Sequence, residues 1–593
     1  MTAPSRPIRI ANCSGFYGDR LGALAEQVRG GEIDVVTGDY LAEVTMLVLA
    51  KAREKDPSAG YATTFLRQLE PVLSEVAERR IKVVVNAGGL NPRGLAEATR
   101  ALLAQHGVAL RVSWVEGDDV HAMIAGPHAS DGEFAHLDTG RPLSSWGHDP
   151  LTANAYLGGF GIAAALSGGA DIVITGRVAD ASLVVGPAAW WWGWTPDDHD
   201  SLAGAVVAGH VIECGAQTTG GNFSGFTGLT DLVAPGFPIA EVDADGSSVI
   251  TKHPETPGTV RVDTVTAQLL YEIGAPAYAN PDVVAHLDTV RLTTAGTDRV
   301  AVTAVRGSPP PATTKVSICA IGGWRNSATF VLTGLDVDAK AALVERAVRE
   351  GLERDPGVGE LRFQRIGVAV ADPDDQFTGS CLLVVSATGE RASVGRPFSS
   401  RLVELSLSSY PGIYGVGAPG LGGSYGVYWP TLIAQARVEH VVVHHDGRRE
   451  PVPPPSRTVP TVAPHTGPRA GPAVTPPAGA TRRVPLGAIA GARSGDKGGN
   501  ANVGVWVGSD EAYGWLTTTM TTERLRLLLP ETAALPVERH LLPNLRAVNF
   551  VIRGLLGGGA TETLRFDKQA KALGEWLRSR HVDIPVSLLP PAG

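Results

Sequence analysis

Short apolar segments alternate with amphipathic segments through the first 220 residues, and this alternation constrains the fold more than any other feature of the chain. The apolar segments span residues 8–11, 33–37, 83–85, 109–115 and 171–175. The segments with helical periodicity span residues 19–29, 40–53, 61–79, 92–105, 152–166 and 181–190. Strands that alternate with helices form βαβ units, and these strands are apolar along their whole length. The pattern therefore predicts a mostly parallel, doubly wound α/β sheet covered on both faces.

After the first 220 residues, the chain contains a region rich in strands, a proline-rich segment and a small C-terminal domain. Residues 283–386 contain β-branched strands around one amphipathic helix. They predict an α+β elaboration of a large domain that spans 6–450, with an internal boundary near 215–285. Residues 451–482 are rich in proline and contain little that can be buried, so we expect an extended linker. Residues 483–593 then form a small α+β domain.

The composition excludes several classes of protein. A net charge of −9 provides no basic surface for nucleic acid, so no such partner is expected. The cysteines Cys13, Cys214, Cys319 and Cys381 are far apart, which argues against a disulfide framework or a metal site. The sequence has neither a secretory leader nor an apolar run of membrane-spanning length, so we expect a cytoplasmic protein. The tryptophan cluster at 190–194 predicts a contact between domains or between the subunits of a homo-oligomer.

Polar and small residues follow every predicted strand of the first domain, although the strands themselves are apolar. The candidates at these strand ends are Asn12, Ser14, Asp39, Asn86, Gly88, Gly89, Thr175, Arg177 and Asp180. Ligands of open parallel sheets bind beyond the carboxyl ends of the strands, so we expect a binding site formed by these residues. The alternative for each single loop is ordinary turn and helix-cap chemistry.

The segment 213–222 is the most polar stretch that follows a helical pattern. It contributes the candidates Glu213, Cys214, Gln217, Gly220, Gly221 and Asn222. Its backbone amides are expected to bind an oxyanion, and Glu213 is a candidate general acid or base. Cys214 is either a nucleophile or a structural thiol, since no histidine is placed by sequence to activate it.

A second polar stretch opens the small domain. It contains Arg493, Ser494, Asp496 and Lys497 among several glycines, which predicts a loop that binds an anion. The spacing fits neither a Walker loop nor a dinucleotide fingerprint, so no nucleotide cofactor is predicted. The alternative is a surface turn.

Several long motifs resemble the acyclic terpene utilisation protein A (AtuA) family. They are TGDYLAEVTM from residue 37, VVVNAGGLNP from 83, DIVITGRVADASL from 171, ECGAQTTGGNF from 213 and ARSGDKGGNANVG from 492. The resemblance covers roughly residues 8–450 and 484–588. It implies a ferredoxin-like fold for the small domain and a place in the catabolism of branched terpenoid acids. The implied reaction is hydration or lysis of a branched 3-hydroxyacyl or enoyl coenzyme A thioester.

Three functions compete at this point. The first is an acyl-CoA hydratase or lyase in which Asp39, Asp180 and Glu213 transfer protons. There the glycine amides would stabilise an enolate, and Arg177, Arg493 and Lys497 would hold the phosphates of coenzyme A. The second is a hydrolase or acyltransferase that uses Cys214 or Ser14. The third is a non-catalytic subunit of an acyl-CoA carboxylase system. No cofactor is predicted, and a coenzyme A thioester is the candidate substrate.

Overall fold

The computed structural model describes residues 4–124, 133–460 and 477–590. Residues 461–476 of the predicted linker lie outside this description. In the first part of the chain the elements are β1 (Ile8–Asn12), α1 (Ala23–Gly30), β2 (Val35–Gly38), α2 (Glu43–Lys55), α3 (Thr64–Leu69), α4 (Leu73–Glu78), β3 (Lys82–Val85), α5 (Pro92–Gln105), β4 (Val112–Glu116), α6 (His121–Ile124), β5 (Pro150–Ala155), α7 (Phe160–Ser167), β6 (Ile172–Thr175), α8 (Ser182–Trp192), α9 (His199–Ile212), β7 (Pro238–Val242), β8 (Ser248–Lys252) and α10 (Val262–Leu269).

The middle of the chain is richer in strands. Its elements are β9 (Ala277–Ala279), β10 (Val284–His286), β11 (Arg291–Gly296), β12 (Arg299–Thr303), β13 (Arg306–Ser308), β14 (Thr313–Thr333), α11 (Val337–Leu352), β15 (Val358–Ile366), β16 (Ser380–Gly389), α12 (Arg391–Val394), α13 (Arg396–Glu404), β17 (Tyr414–Gly415), β18 (Gly423–Ala434), β19 (Val441–Val443) and β20 (Arg449–Pro451).

The last part of the chain is a smaller α+β domain. Its elements are β21 (Thr481–Pro485), β22 (Ala490–Lys497), β23 (Asn500–Val507), α14 (Asp510–Thr519), α15 (Thr522–Leu528), β24 (Val537–Leu542), β25 (Ala547–Ile552), α16 (Leu573–Ser579) and β26 (His581–Pro585). The prediction of a polar loop at the start of the small domain is therefore wrong. Residues 492–502 form paired strands and the turn of the β22–β23 hairpin.

The largest sheet among the described residues has eleven strands in the order β11-β12-β8-β7-β1-β2-β3-β6-β4-β19-β20. Only its centre, β1-β2-β3-β6-β4, is parallel. Antiparallel strands β7 and β19 extend it on either side. The prediction of a mostly parallel sheet is thus corrected to a mixed one, because the later strands β7, β8, β11, β12, β19 and β20 add to its two edges.

Helices cover both faces of the parallel centre. On one face α7, α8 and α9 pack against Ile8, Ile10 and Val173. On the other face α1, α3, α4 and α5 pack against Val36, Val85 and Ile174. Burial on both faces explains why these strands are apolar along their whole length. It also leaves the carboxyl edge of the strands as the place where polar side chains can gather.

Two local predictions need correction or refinement. The predicted helix at 152–166 is a strand, β5, followed by a shorter helix, α7, because Gly158 and Gly159 separate the two. The indoles of Trp192 and Trp194 donate hydrogen bonds to the carbonyls of Val242 and Ala244, at 3.1 and 2.9 Å. These tryptophans therefore pack within their own domain, and a role between subunits stays a prediction.

The described chain divides into two compact units. The first contains Met1–Cys319, Tyr428–Ala560 and Asp567–Gly593, and the second contains Ala320–Val427 and Thr561–Phe566. In the second unit β15, β16 and β14 form an antiparallel sheet, and helices α11 and α13 pack on it. All the residues of the candidate site lie in the first unit. None of the helices in the described ranges is both long enough and apolar enough to cross a membrane.

Candidate active site

Asp39 and Asn86 lie side by side at the carboxyl ends of the neighbouring parallel strands β2 and β3. The amide Nδ2 of Asn86 donates to Oδ1 of Asp39 at 2.6 Å, and Oδ1 of Asn86 accepts the N–H of Tyr40 at 2.7 Å. Burial, and next the negative charge of Asp180, raise the pKa of Asp39 well above its ordinary range. Asp39 is therefore a buried carboxyl that tends to keep its proton.

Arg177 follows β6 and connects three parts of the site. Its guanidinium donates to Oδ1 of Asp180 at 2.8 Å, to the carbonyl of Leu41 at 3.1 Å and to the hydroxyl of Tyr156 at 3.0 Å. Only 4% of the Arg177 side chain is exposed. These bonds and its burial give Arg177 a role in ordering the site, and its role in binding the phosphates of coenzyme A stays a prediction.

Lys315 supplies a second cation, from the start of β14. Its Nζ lies 3.6 Å from Oε1 of Glu43, and it sits 4.9 and 5.5 Å from the ring centres of Tyr156 and Tyr428. Burial alone would raise the pKa of Glu43. The positive charges of Lys315 and Arg177 outweigh the effect of burial and lower the pKa of Glu43 to about 2. Glu43 is thus ionised at neutral pH, in contrast to Asp39.

Glu213 lies at the end of α9, opposite Asp180. Its Oε1 is 3.2 Å from Nδ1 of His210, and the His210 ring lies 5.3 Å from the ring of Tyr278. Burial and then the charge of Asp180 raise the pKa of Glu213 well above its ordinary range. Glu213 and Asp39 therefore resemble each other electrostatically, since each is a buried carboxyl facing the same aspartate.

The small domain contributes the remaining charged groups. The Nζ of Lys497 donates to the main-chain carbonyl of Glu272 at 2.9 Å and lies 5.7 Å from the ring centre of Tyr278. Burial and then the charge of Lys315 lower the pKa of Lys497. Burial and then the charge of Glu272 raise the pKa of Asp496 to about 8. The 493–497 segment thus meets the large domain within one chain.

Several of these charged side chains remain partly accessible although protein surrounds them. The exposed fractions are 32% for Asp180, 33% for Lys315 and 12% for Glu213. Buried atoms without a hydrogen-bond partner among the described residues include Oε2 of Glu213 and Oδ1 of Asp496. Unpartnered buried polar atoms beside partly exposed charges are the groups that a polar ligand could satisfy.

The glycine amides are not available as predicted. The N–H groups of Gly88 and Gly89 donate to the carbonyls of Thr175 and Asn86, and those of Gly220 and Gly221 donate to Gln217 and Ala216. Since each amide already has a backbone acceptor, none is free to stabilise an enolate oxygen. Gly88 instead permits a close approach, because a β-carbon there would lie 2.5 Å from the carbonyl oxygen of Thr175.

The predicted nucleophiles are poorly placed for attack. Burial, and next the charge of Glu213, raise the pKa of the Cys214 thiol well above its ordinary range. Ser14 is fully buried, and its hydroxyl donates to the carbonyl of Phe16 at 3.0 Å. Asn12 fixes this turn, because its side chain accepts the N–H of Ser14 and donates to the same residue's carbonyl. These contacts favour the structural interpretation of both residues.

The other predicted binding residues make contacts within the protein, either between the domains or inside one of them. Arg493 is 7% exposed, and it donates to Oε1 of Gln217 and to the carbonyl of Asn222. Ser494 faces the core of the small domain, where its Oγ accepts the N–H of Gly574 at 2.9 Å. The Thr175 hydroxyl is buried and donates to the carbonyl of Gly176. These contacts and its burial give Arg493 a role in joining the two domains, and its role as an anion ligand stays a prediction.

Sequence reasoning missed the groups that come from scattered elements, namely Tyr156, Glu272, Tyr278, Lys315 and Tyr428. The one available signal was Lys315, a lone lysine at the start of the apolar strand segment 315–321. A charged residue inside an apolar strand is costly to bury unless it has a partner, so it marks a position of interest.

Neither a metal cluster nor the cavity next to Tyr156 adds a ligand site to this cluster among the described residues. No group of three or more His, Cys, Asp or Glu residues that could hold a metal ion occurs within residues 4–124, 133–460 and 477–590. A cavity of about 40 Å³ lies behind Tyr156, between Asp282, His440 and the prolines 453–455. Its volume is comparable to that of a few water molecules and too small for an acyl chain.

Comparison with known proteins gives two matches along the chain. Residues 8–444 match the acyclic terpene utilisation family protein AtuA, and residues 484–583 match the AtuA ferredoxin-like domain. No curated protein matches the sequence. The first match covers well over half of the chain, and together the two follow the division into a large domain, a connecting segment and a small domain.

Proposed function

Because the chain belongs to the acyclic terpene utilisation family AtuA, we propose that it catalyses acid–base chemistry of the hydratase or lyase type on a branched 3-hydroxyacyl or enoyl thioester. One observation carries the proposal. Within a single cluster, Glu43 has a pKa of about 2 while Asp39 and Glu213 have pKa values well above their ordinary range. Environments that separate the pKa values of neighbouring carboxyls are typical of sites that divide acid and base roles.

Glu213 is the general acid of this proposal, and Lys497 is the base. In the dehydration direction the neutral Lys497 amine takes the α-proton of the thioester, and the electron pair forms the C–C double bond. The β-hydroxyl then leaves with the proton of the Glu213 carboxyl as water. The pKa of Lys497 is shifted downward and that of Glu213 upward, which are the directions that a base amine and an acid carboxyl require.

Lys315 and Tyr156 are the groups proposed to face the developing negative charge on the thioester oxygen. Lys315 is accessible and has its closest anionic partner, Glu43, at 3.6 Å. The Tyr156 hydroxyl is oriented by the Arg177 donor at 3.0 Å. A fixed cation and a fixed hydroxyl stabilise such charge without reorganising.

The test compares Glu213→Gln and Asp180→Ala with the wild-type protein on a branched 3-hydroxyacyl-CoA. Loss of a general acid lowers turnover by about 10²- to 10⁴-fold, and we expect Glu213→Gln to fall in that range. Asp180→Ala is expected to move the pH profile, because the charge that raises the pKa values of Asp39 and Glu213 is removed.

Asp282→Asn is the matched control. Asp282 is also a buried carboxyl with a raised pKa, of about 6, but burial causes this shift and its carboxylate accepts the N–H of Gly159. It is expected to leave turnover within a few-fold of wild type. Full activity of both Glu213→Gln and Asp180→Ala would overturn the assignment. Turnover abolished by Cys214→Ser alone would favour acyl transfer instead.

A further inference from the structure

One face of the small domain's sheet lies against the large domain and carries an ordered pattern of glycine and asparagine. The register pairs Gly495 with Asn502 across β22 and β23, and Gly504 with Asn549 across β23 and β25. Residues directly opposite in a sheet share a face, so these four residues lie together. The opposite face carries the apolar core of the small domain, with Val503, Val505 and Phe550 among its residues.

The two glycines allow the turn 270–274 of the large domain to lie directly on this sheet. A β-carbon at Gly495 would lie 2.5 Å from Cε2 of Tyr271, and one at Gly504 would lie 2.6 Å from Cβ of Leu270. Distances below 3.0 Å leave no room for a side chain. The glycines therefore form a groove that this turn occupies.

The two asparagines bind the backbone of the same turn. Asn502 accepts the N–H of Glu272 at 3.0 Å and donates to the carbonyl of Leu270 at 2.7 Å. Asn549 donates to the carbonyl of Gly274 at 2.8 Å, and its Oδ1 accepts from Asn502 at 3.0 Å. Both asparagines are fully buried. Each of their amide groups is thus used to hold this turn or the partner asparagine.

Glu272 itself has a backbone conformation that non-glycine residues rarely adopt, with φ of 54°. Its N–H is bound by Asn502 and its carbonyl by Nζ of Lys497. An uncommon backbone conformation persists only when its surroundings determine it, and such positions concentrate at functional sites. Both polar backbone groups of Glu272 are held by the small domain.

We propose that Asn502 and Asn549 are positioning residues of the active site. They fix the turn 270–274 on the small domain and so hold Glu272 next to Lys497. Their effect on the reaction rests on the proposed function, but their effect on the turn and on Lys497 does not. The hairpin thereby binds protein backbone through this face.

The experiment compares Asn502→Leu with Asn544→Leu in the full-length protein. Asn544 is a matched control, because it also comes from the small domain and donates to two carbonyls of the large domain, those of Leu287 and Val290, at 2.9 and 2.8 Å. Amide hydrogen exchange of 270–274 is measured by mass spectrometry. Competitive acylation across a pH series gives the titration of Lys497.

Asn502→Leu is expected to speed exchange at 270–274 by tenfold or more and to shift the Lys497 titration to higher pH, because release of the turn exposes the amine to water. Asn544→Leu is expected to change neither. If Asn502→Leu does not fold, Asn549→Leu is measured in the same way. Unchanged exchange and titration, or equal changes in Asn544→Leu, would overturn the proposal.

Hydrogen exchange and the Lys497 titration test the positioning role separately from the proposed reaction. A shifted Lys497 titration in a protein that turns over no 3-hydroxyacyl-CoA would uphold the positioning role and reject the proposed reaction. If the reaction is observed, the pH profile of turnover is expected to shift in Asn502→Leu and to stay in place in Asn544→Leu. A fall in turnover with an unmoved profile in both variants would indicate a purely structural role.

Discussion

Gly504→Ala tests the close approach of the two domains most directly. The added β-carbon would lie 2.6 Å from Cβ of Leu270 and 3.2 Å from its Cγ. Leu270 is fully buried, and its Cβ is fixed to the backbone, so rotation of the side chain cannot relieve the overlap. The turn must move away from the sheet, and the hydrogen bonds of Asn502 must lengthen with it.

The expected cost follows from the geometry. Overpacking a well-packed interface by one methyl group costs about 1 to 3 kcal/mol. With an m value of about 2 kcal/mol/M, a loss of about 2 kcal/mol lowers the urea midpoint by about 1 M. The assay is urea unfolding followed by tryptophan fluorescence, since Trp506 lies on this interface and stacks on Phe223 with ring centres 6.3 Å apart.

Gly508→Ala provides the control directly after β23. A β-carbon at Gly508 would meet nothing within 4 Å, so the unfolding free energy of Gly508→Ala is expected within about 0.5 kcal/mol of wild type. If Gly504→Ala unfolds at the same urea concentration as Gly508→Ala, the sheet and the turn do not approach as described, and the argument from the groove fails.

Two other predictions concern protonation. Burial raises the pKa of Asp282 to about 6, so the folded protein binds this proton more tightly than the unfolded chain and loses stability as the pH rises from about 4 to about 6. Asp282→Asn is expected to reduce the pH dependence of the unfolding free energy over this range by up to about 3 kcal/mol, and an unchanged dependence would contradict the assignment. The Cys214 thiol, whose pKa burial raises, is expected to react with iodoacetamide at pH 8 at least tenfold more slowly than in urea-unfolded protein. Equal rates would reject a buried thiol.

The parallel centre of the large sheet could be predicted because its signal is local. Residues 8–11, 83–85 and 171–175 are apolar on both faces, and the structure places strands there. The strand ends at Asp39, Asn86 and Arg177 followed from the rule that parallel strands end at one edge. The helix predicted over 152–166 failed because a short strand and a short helix in succession have the same composition as one longer helix.

The hairpin of the small domain shows why other features could not be predicted. Its sequence alternates, but one face carries Arg493, Gly495, Asn502 and Gly504 and contacts another domain instead of solvent. Such a face has the composition of a loop when only the local sequence is considered. Glu272 and Lys315 were missed for the same reason, because their importance depends on partners hundreds of residues away or on another strand.

The bound turn has a thermodynamic consequence for any ligand of this site. A molecule that contacts both Glu272 and Lys497 binds only the arrangement in which the small domain holds the turn. The two equilibria are then linked, namely ligand binding and association of the turn 270–274 with the small domain. Each increases the equilibrium constant of the other by the same factor. A saturating ligand at 100 times its dissociation constant would stabilise the docked state by about 2.7 kcal/mol. Protection of residues 270–274 from hydrogen exchange can therefore report binding for candidate substrates that the enzyme does not turn over.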